Sequence, residues 1–167
     1  MENKKIYIHA NITEMSKKIE KRLRNKLVKS GLRVFEELTD DTELIICVGG
    51  DGTLLHLMQE KDFPATPVVG INTGHLGFFQ EIPPEKIDDF IFKYNQGQYT
   101  VQAFSTVKAT VVTEHGTFTH TALNEIAVKG ENYDQFYNVG NEFTVTTENV
   151  NLMKLYVFGG TAMYKVI

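Results

Sequence analysis

The residues best suited to do chemistry are Asp51 and the glycines around it, in Leu44-Ile45-Ile46-Cys47-Val48-Gly49-Gly50-Asp51-Gly52-Thr53. An apolar run with no polar alternation reads as a parallel strand buried on both faces. The glycines that follow let the backbone bend sharply and approach a ligand, because no Cβ stands in the way. Thr53 to Glu60 then reads as a helix, whose N-terminal amides and positive dipole end suit a phosphate. A carboxylate at such a place repels phosphate, so Asp51 is expected to be there for chemistry, either to accept a proton or to help hold Mg²⁺. The same residues also suit a tight turn with Asp51 as a helix cap. The buried strand in front of them favours a site.

Two other stretches carry candidate groups. In Asn72-Thr73-Gly74-His75-Leu76-Gly77-Phe78-Phe79 the Asn72 amide can both donate and accept, and Gly74 and Gly77 allow close backbone approach. Phe78 and Phe79 offer flat apolar faces to a ring, with a plain turn and core packing as the alternatives. In Ala122-Leu123-Asn124-Glu125-Ile126 an amide and a carboxylate interrupt β-like sequence. Adjacent residues of an extended chain face opposite ways, so a bulge or loop is needed for both to reach one ligand. The pair suits the hydroxyls of a ribose; a polar strand edge is the other reading.

Several familiar sites are excluded. No Gly-x-x-x-x-Gly-Lys-Ser/Thr loop is present, no Gly-x-Gly-x-x-Gly opens a helix, and no Gly-x-Ser-x-Gly elbow occurs. His115 and His120 flank a turn without Cys or carboxylate at ligand spacing, which argues against zinc.

The elements that must hold these groups can be read in order. Lys5 to His9 looks like a first strand, and Asn11-Ile12-Thr13-Glu14 has capping-box spacing with Asn11 as the cap. Met15, Ile19, Leu23 and Leu27 mark the inner stripe of a helix that ends near Ser30-Gly31. Its basic face (Lys17, Lys18, Lys21, Arg22, Arg24, Lys26) reads as a solvated surface rather than a binding patch. Leu32 to Phe35 is a short strand, Glu36 to Glu43 an acidic loop, and Pro67 to Ile71 another buried strand. Pro83-Pro84-Glu85 opens a helix with Ile87, Phe90, Ile91 and Tyr94 inward. Such alternation predicts an open, Rossmann-like, mainly parallel sheet with flanking helices, both glycine loops lying at the carboxyl ends of its strands. After Asn95-Gln96-Gly97-Gln98 the sequence turns Val-, Thr- and aromatic-rich, with a hairpin turn at Glu114-His115-Gly116. The expected organisation is an α/β domain over 1–97, then a partial, all-β, antiparallel second domain over 98–167.

Bulk properties narrow the partners. With 167 residues the chain holds one domain, or one and part of another. A net charge of -4 gives no basic field for nucleic acid. The N-terminus lacks a signal-peptide core, and no apolar run reaches membrane-spanning length. A cytoplasmic protein is expected, with the single Cys47 a small buried hydrophobe.

Taken together and in order, Gly49-Gly50-Asp51-Gly52-Thr53, the stretch from Asn72 to Phe78, and Asn124-Glu125 resemble the motifs of the NAD kinase family. The first motif is shared with diacylglycerol and sphingosine kinases and, in near form, with phosphofructokinases. The other two make the match specific, over roughly residues 5 to 130. The resemblance implies ATP-dependent phosphorylation of the adenosine ribose 2′-hydroxyl of NAD, giving NADP, with Mg²⁺ carried mainly on the ATP phosphates and close to Asp51. It makes Asp51 the acceptor of the hydroxyl proton, and gives Gly49, Gly50, Gly52 and Thr53 the phosphate-side loop. Asn72, Gly74, Leu76, Gly77 and Phe78 would meet the dinucleotide, and Asn124 with Glu125 the ribose hydroxyls. Family members continue through a Gly-Asp-Gly segment and a Ser/Thr-rich loop ending in Thr-Ala-Tyr. Here that loop is a worn echo with Thr161, Ala162 and Tyr164 as its candidate residues, Met163 between the last two, and the chain stopping at Ile167. An incomplete second domain is therefore expected. The family also implies a homodimer or homotetramer. The alternatives are a catalytically weak dinucleotide-binding protein or fragment of this fold, and a lipid kinase of the same superfamily.

Overall fold

The computed structural model describes residues 4–61, 64–74, 77, 79–104, 107–113, 116–129, 134–138, 142–146, 154–159 and 163–166. Contacts between elements divide the chain into two units. One comprises Met1–Leu57, Ala65–Gln102 and Tyr164–Ile167; the other comprises Met58–Pro64 and Ala103–Met163.

The first unit is built on strand β3 (Leu44–Gly49), buried at every position. It pairs in parallel with β1 (Lys5–Ala10) on one side and β4 (Val68–Asn72) on the other, in registers that include Ile8↔Ile46 and Ile46↔Val69. Beyond β1 lies β2 (Arg33–Phe35), also parallel. A strand with neighbours on both edges and side chains covered on both faces needs apolar residues at odd and even positions alike. That is why its sequence shows no alternation. With β5 (Val101–Phe104) and β11 (Met163–Val166), the sheet order is β2-β1-β3-β4-β11-β5. Strand β11 pairs in parallel with β4 at Lys165↔Val68, so this segment lies in the first sheet rather than in the β-rich region its composition suggested.

Helix α1 (Glu14–Lys29) covers one face of the sheet. Its N-cap is Thr13, whose Oγ1 accepts the Ser16 amide at 3.3 Å, and not Asn11 as the spacing suggested. The inner stripe also differs at its start: Ser16, Ile19, Leu23 and Leu27 are buried, while Met15 is 56% exposed. Three turns back from Leu27 is about eleven residues, which lands on position 16 rather than 15. The helix ends at Ser30, with Gly31 left-handed at φ +87° as a C-terminal glycine should be. On its outer face Arg24 pairs with Glu20 and Glu36, and Lys26 with Asp88. A 3₁₀ turn (Pro84–Lys86) leads into α3 (Ile87–Asn95), which buries Ile87, Ile91 and Tyr94 in the same core. Each such side chain contributes about 1.5–3 kcal/mol.

The second unit centres on β7 (Gly116–Lys129), which pairs antiparallel with β6 (Val107–Thr113), β8 (Asp134–Asn138) and β10 (Lys154–Gly159). The hairpin closes at Thr113↔Gly116, and Gly116 has φ +138°. Glu114 and His115 of the expected turn lie outside the described residues. One pairing departs from the antiparallel expectation: β9 (Glu142–Thr146) runs parallel to β6. Both β6 and β8 run against β7, and β9 runs with β6, so the step from β8 to β9 is no hairpin. Val- and Thr-rich alternation marks a strand but says nothing of the direction of its partner.

Cys47 faces the interior of the first unit and is fully buried. Burial pushes its thiol up from 9.0 to about 12. The unfolded chain ionises first, so this stabilising contribution is present below pH 9.0 and is lost as the pH rises towards 12. A thiol reagent at pH near 8 should therefore leave native Cys47 unmodified and label it only on unfolding. Labelling at the rate of a free thiol would show the strand to be open.

Candidate functional site

The end of β3 determines where Asp51 lies. The strand stops at Gly49, and helix α2 (Asp51–Glu60) begins at once, two residues earlier than its pattern suggested. Asp51 therefore sits in the first turn rather than in a loop ahead of it. The turn is closed by two bonds: the Thr53 amide donates to Gly50 O at 2.9 Å, and the Gly50 amide to Thr53 Oγ1 at 3.3 Å.

The glycines act through space, not through special dihedrals. Among the described residues only Gly31, Gly97 and Gly116 have positive φ. At Gly49 an added Cβ would lie 2.2 Å from Thr53 Oγ1, and at Gly77 it would lie 2.4 Å from Asp51 Oδ1. At Gly50, Gly52 and Gly74 it would meet none of the described residues. The first pair is required by neighbouring side chains. Of the second group, Gly50 and Gly52 lie at the N-terminus of α2, where backbone amides and the helix dipole favour an anion.

Asp51 is half-buried, and its Oδ1 accepts the Phe79 amide at 2.9 Å. Asn72, at the end of β4, folds its Oδ1 onto the Gly74 amide at 2.9 Å. The Thr73 amide donates to Gly49 O at 3.0 Å, and Gln80 Nε2 donates to Gly50 O at 3.3 Å. The segment after β1 joins the same network. Asn11 Nδ2 donates to Thr53 Oγ1 at 3.0 Å, and Ser16 Oγ shares a 2.7 Å hydrogen bond with Thr73 Oγ1. Three consecutive carboxyl ends in the sheet, those of β1, β3 and β4, are thus tied together. Sequence reasoning missed Asn11, Ser16, Thr73 and Gln80. The available signal for Asn11 was its position directly after a parallel strand, the same position that drew attention to Asp51 and Asn72.

Within the first unit the structure brings together Gly49, Gly50, Asp51, Gly52, Thr53, Asn72, Gly74 and Gly77. Phe79 is 4% exposed and belongs to the core. Leu76, Phe78, Thr161 and Ala162 lie outside the described residues. Tyr164 lies in β11. Asn124 and Glu125 lie in β7 of the second unit, where the register with β10 steps from Glu125 to Leu123 and skips Asn124. This is the kind of irregularity an adjacent Asn-Glu pair needs in order to serve one ligand. Among the described residues no three His, Cys, Asp or Glu side chains gather in a group that could hold a metal ion. Nor is any helix among the described residues long and apolar enough to cross a membrane.

A parallel sheet with helix α1 packed on it, and one carboxylate among glycines at its carboxyl edge, defines a Rossmann-like α/β protein with a ligand-type edge. The sequence pattern of the ATP-NAD kinase N-terminal domain matches residues 3–99, and the chain belongs to the NAD kinase family. It is 33% identical to the NAD kinase of Finegoldia magna over 141 residues, 82% of this chain and 52% of that protein. It is 37% identical to the NAD kinase of Christiangramia forsetii over 100 residues, 59% of this chain and 34% of that protein. The chain thus spans about half the length, or less, of these curated relatives. Two solved structures share the fold. One is an NAD kinase from Archaeoglobus fulgidus in complex with ATP (TM-score 0.53, 24% identity, 76% of this chain and 48% of that one). The other is yeast NADH kinase complexed with NADH (TM-score 0.65, 15% identity, 78% and 49%).

The two kinds of glycine should separate on substitution. Gly49→Ala and Gly77→Ala should each lower stability by about 1–3 kcal/mol through overpacking. Gly52→Ala, in a helix and facing open space, should raise it by roughly 0.5–1 kcal/mol. Denaturant unfolding of the three variants checks this, and equal losses at all three would refute it.

Proposed function

We propose that the chain transfers the γ-phosphoryl group of ATP to the 2′-hydroxyl of the adenosine ribose of NAD, giving NADP. The observation that carries this reading is Asp51, one carboxylate in the first turn of α2, flanked by Gly50 and Gly52, where an added Cβ would meet none of the described residues. Membership of the NAD kinase family supports it, as do the ATP and NADH named for the two solved structures.

The residues fit the substrates' chemistry. Phosphates need backbone amides reachable without a Cβ in the way, and the surroundings of Gly50, Gly52 and Gly74 meet that need. Mg²⁺ would arrive on the ATP phosphates, with Asp51 close by. Bound there, the ion offsets phosphate charge. A carboxylate has lone pairs for more than one donor, so the Phe79 amide can orient Asp51 while the ribose hydroxyl approaches it. As the hydroxyl oxygen bonds to the γ-phosphorus, the bond to the β–γ bridging oxygen breaks and ADP leaves. The hydroxyl proton passes to Asp51 and then to solvent. Carboxylates are weak bases, so this transfer is useful late, when the attacking oxygen has become acidic.

In this reading Gly49, Gly50, Gly52 and Thr53 form the phosphate side. Asn72, Gly74, Leu76, Gly77 and Phe78 meet the dinucleotide, Asn124 and Glu125 hold ribose hydroxyls, and Thr161, Ala162 and Tyr164 form the far wall. A homodimer or homotetramer is part of the same proposal.

Asp51→Asn should lower NADP formation by about 10²–10⁴-fold while NAD affinity stays nearly constant, since the amide oxygen still accepts from Phe79. A coupled NADP assay beside calorimetry measures both. Undiminished turnover in that variant would remove the proposed base. NAD binding by the parent chain without any NADP would instead select a dinucleotide-binding protein of this fold.

A further inference from the structure

Gln80 is fully buried, yet it is polar and only half satisfied. Its Nε2 donates to Gly50 O and to Cys47 Sγ, both at 3.3 Å. Its Oε1 has no hydrogen-bond partner among the described residues. The sheet accommodates this side chain at a second position as well. An added Cβ on Gly70 would lie 2.4 Å from Gln80 Oε1, so β4 gives up a side chain to make room. A buried amide with one orphaned end is a poor choice for stability alone, because an apolar side chain of similar shape would leave nothing unpaired.

Its bond to Gly50 suggests another reason. Gly50 directly precedes Asp51, and a Cβ there would meet none of the described residues, so as a glycine its backbone is little restrained by sterics. Its carbonyl receives the Thr53 amide from α2 and the Gln80 amide from the second glycine loop. Fixing that carbonyl fixes the peptide plane between Gly50 and Asp51, and with it the direction from which the carboxylate leaves the backbone. The neighbouring Phe79 amide holds the carboxylate itself.

From this geometry we infer that Gln80 is a positioning residue, whose side-chain amide sets the Gly50–Asp51 peptide and thereby aims the Asp51 carboxylate. The inference deepens the phosphotransfer reading and rests on it for its catalytic consequence.

Gln80→Met keeps the length, removes the donor and the orphaned oxygen, and leaves Gly50 O with its Thr53 partner. Its melting midpoint should be no lower than that of the parent. Amide exchange at Thr53 and Phe79 should quicken by about tenfold, and kcat should fall by about tenfold or more with KM for NAD within about threefold. Unchanged exchange at both amides overturns the inference, as does unchanged kcat in an active parent. A midpoint that falls together with activity also overturns it, being the mark of a structural tie only. Gln80→Leu is measured beside it, and failure of both variants to fold likewise shows a structural role. Should the parent chain make no NADP, the phosphotransfer reading fails. Exchange at Thr53 and Phe79 then decides the role of Gln80 on its own.

Discussion

The hydrogen bond from the Phe79 amide to the Asp51 carboxylate is the interaction on which the edge of this sheet depends. It joins the loop after β4 to the first turn of α2, and two others run beside it, from Thr73 to Gly49 and from Gln80 to Gly50. A bond to an ionised acceptor contributes about 1.5–3 kcal/mol, more than either neutral neighbour. Its consequence for sequence is direct. Because the carboxylate turns towards the second loop, Gly77 has no room for a Cβ, just as Gly49 has none beside Thr53 and Gly70 none beside Gln80. Three glycines are thus fixed by the side chains they receive. Among the described residues, no side chain requires a glycine at Gly50, Gly52 or Gly74.

Much of the first unit was legible because burial on both faces leaves an unambiguous trace. No polar residue interrupts Leu44–Val48, and the flanking helices repeat their apolar positions every three or four residues. What was misread were choices between near-equivalent local options. Thr13 and Asn11 both make good caps; Thr13 Oγ1 serves the helix, while Asn11 donates its amide to Thr53. Met15 and Ser16 are one position apart on α1; the helical repeat back from Leu27 favours position 16, and the hydrogen bond Ser16 shares with Thr73, fifty-seven residues away, gives its hydroxyl a buried partner. Neither contact can be seen in a local window. The parallel pairing of β6 with β9 was hidden for a similar reason, since strand propensity carries no direction.

The candidate site was legible in its parts and illegible in its wiring. Residue types and spacing identified Asp51, the glycines and Asn72. They did not reveal that Asn11, Ser16, Thr73 and Gln80 join them into one network, because those bonds, taken with the Asp51–Phe79 bond, span between twenty-four and fifty-seven residues. The glycines also misled in one respect. They suggested an unusual backbone path, whereas none in the Asp51 motif adopts positive φ. Their value lies in the volume they leave, which depends on the neighbours that the fold supplies.

The electrostatics of the first turn of α2 contain a conflict that bears on mechanism. Its N-terminal amides and dipole attract an anion, and Asp51 already occupies part of that field, with a stabilisation of about 0.3–1 kcal/mol. A phosphate arriving beside it meets favourable amides and an unfavourable carboxylate at once. Two like charges about 4 Å apart repel by roughly 4 kcal/mol at the effective dielectric near a protein surface, more than one helix terminus returns. The arrangement is tolerable only if the phosphate brings its own counter-charge, or if the carboxylate takes up a proton as the phosphate bond forms. Both conditions fit the phosphoryl transfer proposed above better than simple anion storage, for which an uncharged residue at position 51 would serve with no repulsion to overcome.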